Sequence, residues 1–193
     1  MRARVLRAAD FTRQPWRNGG GFTTELAIEG DADRWLWRVS VAEIERSGPF
    51  SDYAGYERTL MLLEGDGMEL VFDAAPAKRL DRPHLPFTFD GGWKTECRLL
   101  GGRVLDFNLM VDRARAHGAV AVLAAYGGKD FALAADWSLF YCLTGAVGIE
   151  VAGARYDVRR GELLRIDGAA GAPAKLTELH PATLVADVRI ERR

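Results

Sequence analysis

Thr23 and Glu25, Arg38 and Ser40, and Asp106 and Asn108 are three pairs of polar residues, each split by one residue inside a largely apolar run. In a β-strand that spacing puts both members of a pair on the same face. Arg58 joins them if the strand beginning near Tyr56 turns the same side inward. A guanidinium presents a planar fork of donors that matches a carboxylate, so Arg38 and Arg58 are candidates to neutralise a small acid. Asn18, Ser40 and Asn108 are candidates to hydrogen-bond its remaining polar atoms. Glu25 and Asp106 either orient the arginines or accept an N–H from the ligand. Two arginines with few ionisable bases suit binding of an anion better than its turnover. The same residues also fit a plainer description, the solvent face of two-sided strands.

A second chemical signal is the stretch Pro15-Trp16-Arg17-Asn18-Gly19-Gly20-Gly21-Phe22-Thr23-Thr24-Glu25. Three consecutive glycines free the backbone to adopt φ > 0 and to approach a ligand or another segment closely. The common use of Asn-Gly is a turn between two strands. The alternative is a recognition loop in which Trp16, Asn18, Gly19, Gly20 and Thr23 meet a ligand.

The elements that must carry these residues are strands. Residues 22–28, 35–42 and 105–110 alternate in polarity, glycines are spread along the chain, and helical periodicity is scarce. The pattern is that of an all-β sandwich or barrel with few short helices, one of them expected at residues 42–46. In residues 22–28, Thr23, Glu25 and Ala27 are expected to share a face. The run from Leu60 to Leu70 reads as strand, Gly-x-Gly turn, strand, and the run from Phe140 to Val151 repeats it about eighty residues later. Self-similarity at this offset predicts two β-sandwich halves, 1–115 and 116–193, forming a single bicupin-like domain, and the strand–glycine–strand plan is similar to the cupin fold.

Several chemistries lack their residues. Cupin enzymes usually hold a metal through His-x-His, a glutamate and a third histidine. Here the histidines are His84, His117 and His180, and Tyr53-Ala54-Gly55-Tyr56-Glu57-Arg58 stands where the ligands would lie. No metal or other cofactor is therefore expected. Nucleophile-elbow, Walker and dinucleotide motifs are missing. Cys97 and Cys142 are expected as buried thiols of a cytoplasmic protein. The net charge of −1 carries no basic run, so no nucleic-acid partner is expected. The longest uncharged stretch, residues 116–128, is too short to span a bilayer, and no secretory leader is expected at the N-terminus. A homodimer is left open.

The motifs together resemble the HutD/Ves family of small bacterial cupin-like proteins. The resemblance rests on Pro15-x-x-Asn18-Gly19-Gly20-Gly21-x-Thr23-x-Glu25, Trp37-Arg38-Val39-Ser40, Gly48-Pro49-Phe50-Ser51 and Gly55-x-x-Arg58. It continues through Leu63-x-Gly65-x-Gly67, Phe87-x-Phe89-x-Gly91 and Asp106-Phe107-Asn108-Leu109-Met110, covering residues 5–115. The chain departs from the family pattern at Gly92, where an acidic residue is usual, and at Tyr53-Ala54-Gly55, where Phe-Pro-Gly is usual. The resemblance implies a double-cupin sandwich and an accessory or regulatory part in histidine utilisation; Ves-type members are linked with stress. The expected ligand is a small anionic metabolite such as formylglutamate or urocanate, held without metal and with no membrane partner. Two other functions stay open: a metal-independent hydrolase or isomerase with Glu25 or Asp106 as general base, and a protein-interaction module using Trp16, Trp93 and Tyr126. For the enzyme, nearby arginines are expected to hold the carboxylates' pKa down.

Overall fold

The computed structural model describes residues 1–31 and 34–193. Among them the helical structure is one 3-10 turn at Ala8–Asp10, and no helix is long and apolar enough to cross a membrane. The chain divides into two compact units. The N-terminal unit is Phe11–Ala116, and the C-terminal unit is His117–Arg193 together with Met1–Asp10.

The C-terminal unit thus takes in the first ten residues as well as the second expected half, because β1 (Arg2–Leu6) pairs antiparallel with β17 (Leu163–Asp167). Its five-stranded sheet has the order β1, β17, β14 (Trp137–Thr144), β19 (Leu184–Arg192) and β12 (Ala116–Ala124). The facing four-stranded sheet runs β13 (Lys129–Ala132), β18 (Pro173–Glu178), β15 (Ala146–Val151) and β16 (Ala154–Arg159). Phe140, Cys142, Leu164, Ile166 and Val185 meet Val147, Ile149, Val158 and Leu176 in a closed apolar core.

The N-terminal unit repeats this plan. One sheet has the order β2 (Thr12–Pro15), β3 (Gly21–Gly30), β4 (Trp35–Ile44), β11 (Val104–Asp112), β6 (Tyr56–Glu64) and β9 (Phe87–Asp90). The other runs β5 (Gly48–Pro49), β10 (Thr95–Leu99), β7 (Met68–Phe72) and β8 (Lys78–Leu80). The crossing from β6 to β7, between the two sheets, corresponds to that from β14 to β15, the repeat seen in the sequence. Ile44, Leu60, Leu62, Phe89 and Val104 from the larger sheet pack on Met68, Leu70, Phe72, Leu80 and Cys97 from the smaller. Both cysteines are free and buried, and burial pushes the Cys97 thiol up to about 12.

The helix expected at residues 42–46 does not form. β4 continues to Ile44 because Ala42 and Ile44 are buried and hydrogen-bonded in register between β3 and β11, which overrides the helix preference of Ala42-Glu43. The expected alternation in residues 22–28 also changes partway. Glu25 pairs with Ser40 but Ala27 pairs with Val39, so one extra residue bulges β3 at Leu26. Ala27 is thereby turned to the opposite face from Thr23 and Glu25.

Candidate functional site

Register across the larger N-terminal sheet assembles the site rung by rung, because directly opposed residues point to the same side. One rung places Gln14, Thr23, Ala42, Asp106 and Leu62 in line. The next places Thr12, Glu25, Ser40, Asn108 and Leu60, and a third places Ile28, Arg38, Met110, Arg58 and Phe89. This face is continuous with the core: Ile44, Leu62 and Val104 lie at one end, and the polar residues take over along the same strands. The solvent-face description does not hold for Ser40, Arg58, Asp106 and Asn108, each exposed by 5 % or less.

These residues line a cavity of about 380 Å³, the size of a small-metabolite site. Of the candidates named from sequence, Trp16, Asn18, Thr23, Glu25, Arg38, Ser40, Arg58, Asp106 and Asn108 all line it. Gly19 and Gly20 lie outside its wall. They form the turn between β2 and β3, closed by Trp16 N–H to the Gly21 carbonyl and by Gly19 N–H, at φ +66°, to the Trp16 carbonyl. Asn18 Oδ1 accepts from the Gly20 N–H at 3.0 Å. The stretch is therefore an Asn-Gly turn and a cavity wall at once. Gly21 is required by close approach, since a Cβ there would overlap the Glu43 carbonyl oxygen of β4.

Aromatic rings that were not among the ligand-binding residues expected from the sequence hold the arginines. The Arg58 guanidinium lies 5.1 Å from the Phe50 ring, 5.4 Å from Tyr53 and 5.2 Å from Phe89. Arg38 lies 5.3 Å from Trp35 and 5.9 Å from Tyr53. Such cation–π contacts stabilise a desolvated guanidinium without consuming its N–H donors. Trp16 Nε1 donates to Thr23 Oγ1 at 2.8 Å, and its ring meets Phe50 edge-on at 6.3 Å. Phe50 and Tyr53 come from the loop around β5, where strand periodicity carries no signal. Thr12 and Gln14 were legible in principle, as alternate residues facing Glu25 and Thr23 across a hairpin.

The electrostatics of the floor are unusual. Burial lowers the Arg58 pKa to about 10, against the pull of Asp106. Burial also raises the Asp106 pKa to about 7, and the opposing attraction of Arg58 is the smaller effect. Arginine was expected to hold this carboxylate down; desolvation wins instead. Arg38 Nε, Arg58 Nε, both carboxyl oxygens of Asp106 and Asn108 Oδ1 are buried without a hydrogen-bond partner in the protein. A buried polar atom left unpaired costs about 1–3 kcal/mol, so stability alone does not account for this cluster. Among the described residues, no three His, Cys, Asp or Glu side chains gather in a group that could hold a metal ion.

Comparison with known proteins follows the same lines. A 21.2 kDa protein encoded in the hutC 3' region of Pseudomonas putida is 48 % identical over 111 residues, 55 % of this chain and 56 % of that protein. The chain thus matches little more than half the length of that relative. Protein Ves of Cronobacter sakazakii is 35 % identical over 64 % of this chain and 72 % of its own. HutD from Pseudomonas fluorescens SBW25, solved in a formate condition, superposes with a TM-score of 0.85 at 31 % identity and complete coverage of both chains. A cupin barrel protein from Leptotrichia buccalis shares the fold alone, with a TM-score of 0.57 at 10 % identity over 89 % of this chain and 88 % of that one. The fold is all-β and cupin-like, and residues 8–184 match the HutD family, to which this chain belongs.

Proposed function

We propose that the protein binds a small anionic metabolite of histidine breakdown, such as formylglutamate, urocanate or glutamate, and acts in the cytoplasm as an accessory or regulatory factor. Membership of the HutD family links the chain to histidine utilisation. One observation carries the binding reading: two arginines on one rung, one of them 4 % exposed, face a 380 Å³ cavity with unpaired N–H donors. A ligand carboxylate supplies the acceptors that the protein withholds. Ser40 and Asn108 lie one rung nearer the core, and Asn18, Thr23 and Trp16 close the β2–β3 side. Occupancy of this cavity would report or limit flux through the pathway.

A thermal-shift panel of histidine, urocanate, formylglutamate, formiminoglutamate and glutamate tests this. A compound at a hundred times its Kd stabilises the fold by about 2.7 kcal/mol, a rise of several degrees. A panel that stays flat at millimolar concentration removes these metabolites.

A second reading has one observation in its favour. A carboxyl that titrates near neutrality inside a cavity is suited to proton transfer, so Asp106 qualifies as the general acid or base of a metal-independent hydrolase or isomerase. Steady loss of a panel compound, abolished by Asp106→Asn, supports turnover over binding. The interaction-module reading is weaker: Trp16 and Trp93 pack onto the N-terminal core, and of its three rings Tyr126 alone is largely exposed.

A further inference from the structure

We infer that Asp106, with Asn108, makes the cavity selective for ligands that bring an N–H donor as well as a carboxylate. The inference rests on the anion-binding reading of this site and specifies the other end of the ligand.

The unpaired atoms of the floor divide into two kinds. Arg38 Nε and Arg58 Nε are donors, whereas Asp106 Oδ1, Asp106 Oδ2 and Asn108 Oδ1 are acceptors. A ligand offering only carboxylate oxygens satisfies the first kind and leaves Asn108 Oδ1 and at least one Asp106 oxygen without a donor. No protein donor reaches them. On its rung Asp106 is flanked by Ala42 on β4 and Leu62 on β6, neither of which has a side-chain donor. Thr23, the next residue outward, is a strand further away and its hydroxyl, which accepts from Trp16 Nε1, makes no hydrogen bond to the carboxyl. The Ala42 methyl leaves room beside the carboxyl that a larger side chain would occupy, since facing Cβ atoms on a sheet are about 5 Å apart.

Asp106 and Arg58 lie near enough to interact electrostatically, yet form no hydrogen bond. The cavity therefore keeps a cationic end and an acceptor end distinct, and its occupant is a small acid with an N–H at a distance from its carboxylate. A protonated carboxyl retains an accepting oxygen, so the requirement persists across the neutral range. Buried polar groups built to meet a ligand N–H discriminate strongly against an analogue that lacks it.

N-Acetylglycine and levulinate test this directly, because they match in size and charge and differ by N–H in place of CH₂. Calorimetric titration of the wild-type protein is expected to show N-acetylglycine bound at least about tenfold more tightly. The preference should fall below about threefold in Asp106→Leu, an exchange that replaces the unpaired carboxyl by an apolar group of similar size. Should that variant not fold, Asp106→Asn, which keeps one acceptor, should show a reduced preference. Equal wild-type affinity for the two acids, with both weakened by Arg38→Ala, overturns the selectivity and leaves the anion site standing. A preference that survives Asp106→Leu overturns the assignment to Asp106. Failure of both acids to bind at tens of millimolar removes the anion site itself, and this inference with it.

Discussion

The larger sheets of the two units share a run of four strands, β9-β6-β11-β4 and β17-β14-β19-β12, and differ in what their inner faces do with polarity. Counting back from the turn glycines Gly65 and Gly145, the inward residues of β6 are Leu62, Leu60 and Arg58, and those of β14 are Cys142, Phe140 and Ser138. Opposite them, β11 carries Asp106, Asn108 and Met110, and β19 carries Val185, Asp187 and Arg189. β11 thus buries Asp106 and, at its far end, Asp112, which Arg34 and Arg115 neutralise, while β19 buries Asp187. Asp187 is 2 % exposed, and Arg189, two residues on, donates to its Oδ2 from Nε at 3.0 Å and from a terminal nitrogen at 2.6 Å. Asp106 receives nothing. A shared scaffold becomes a core where the acid is neutralised by its own strand, and a candidate site where it is left waiting.

The largest effect is expected from the titration of Asp106. Burial raises the Asp106 pKa from its ordinary 3.8 to about 7, with Arg58 opposing. Since the folded-state value is the higher, its stabilising contribution is intact below pH 4 and lost as pH rises through about 7. Relative to Asp106→Asn, the wild type should lose about 4 kcal/mol between pH 4 and pH 8, given 1.36 kcal/mol per pKa unit and full burial. Denaturant melts of both proteins across that range check it, and parallel curves would show that burial does not hold the Asp106 carboxyl protonated.

Ligand binding comes next in size. Arg38→Ala and Arg58→Ala should each lower affinity for the carboxylate found by the thermal-shift panel by about a hundredfold, the scale of a lost buried charge contact. Unchanged affinity in either variant would dissolve the functional contrast between the units. Gly21→Ala should then cost about 2 kcal/mol by driving β3 away from the Glu43 carbonyl, with a weaker ligand response because the β2–β3 turn forms one wall. Smallest is Arg189→Ala, which removes the donors of Asp187 and should cost about 1 kcal/mol, since Arg189 is half exposed and water replaces part of the loss. Its ligand affinity should stay within about twofold, and a larger change would show that the C-terminal unit contributes to recognition.

Much of this contrast could be read beforehand, for a physical reason. A period of two survives in the sequence wherever a strand is regular, so Arg38 with Ser40 and Asp106 with Asn108 were assigned to common faces correctly. The neighbours of these pairs depend on register, which no single strand encodes. The bulge at Leu26 turned Ala27 away and brought Ile28 onto the rung of Arg38. The helix expected at residues 42–46 gave way to pairing on both sides of β4. Phe50 and Tyr53 reach the arginines from an irregular loop, and long-range packing alone places them there. The pKa of Asp106 was misjudged in direction because its burial, unlike the proximity of arginine, leaves no mark in a run such as Asp-Phe-Asn-Leu-Met.

The pairing of β1 with β17 has a kinetic consequence. During synthesis Arg2–Leu6 emerges roughly 160 residues ahead of its partner Leu163–Asp167. The N-terminal unit has every strand of its own sheets by Ala116 and can close early, while the opening segment stays unpaired throughout. Contacts of such sequence separation slow folding, because the intervening loop must close before they contribute. Until then β17 presents an unpaired edge of the kind that recruits strands from other chains. Lesions in the first ten residues should therefore register as aggregation of the C-terminal unit during expression, far along the chain from where they lie.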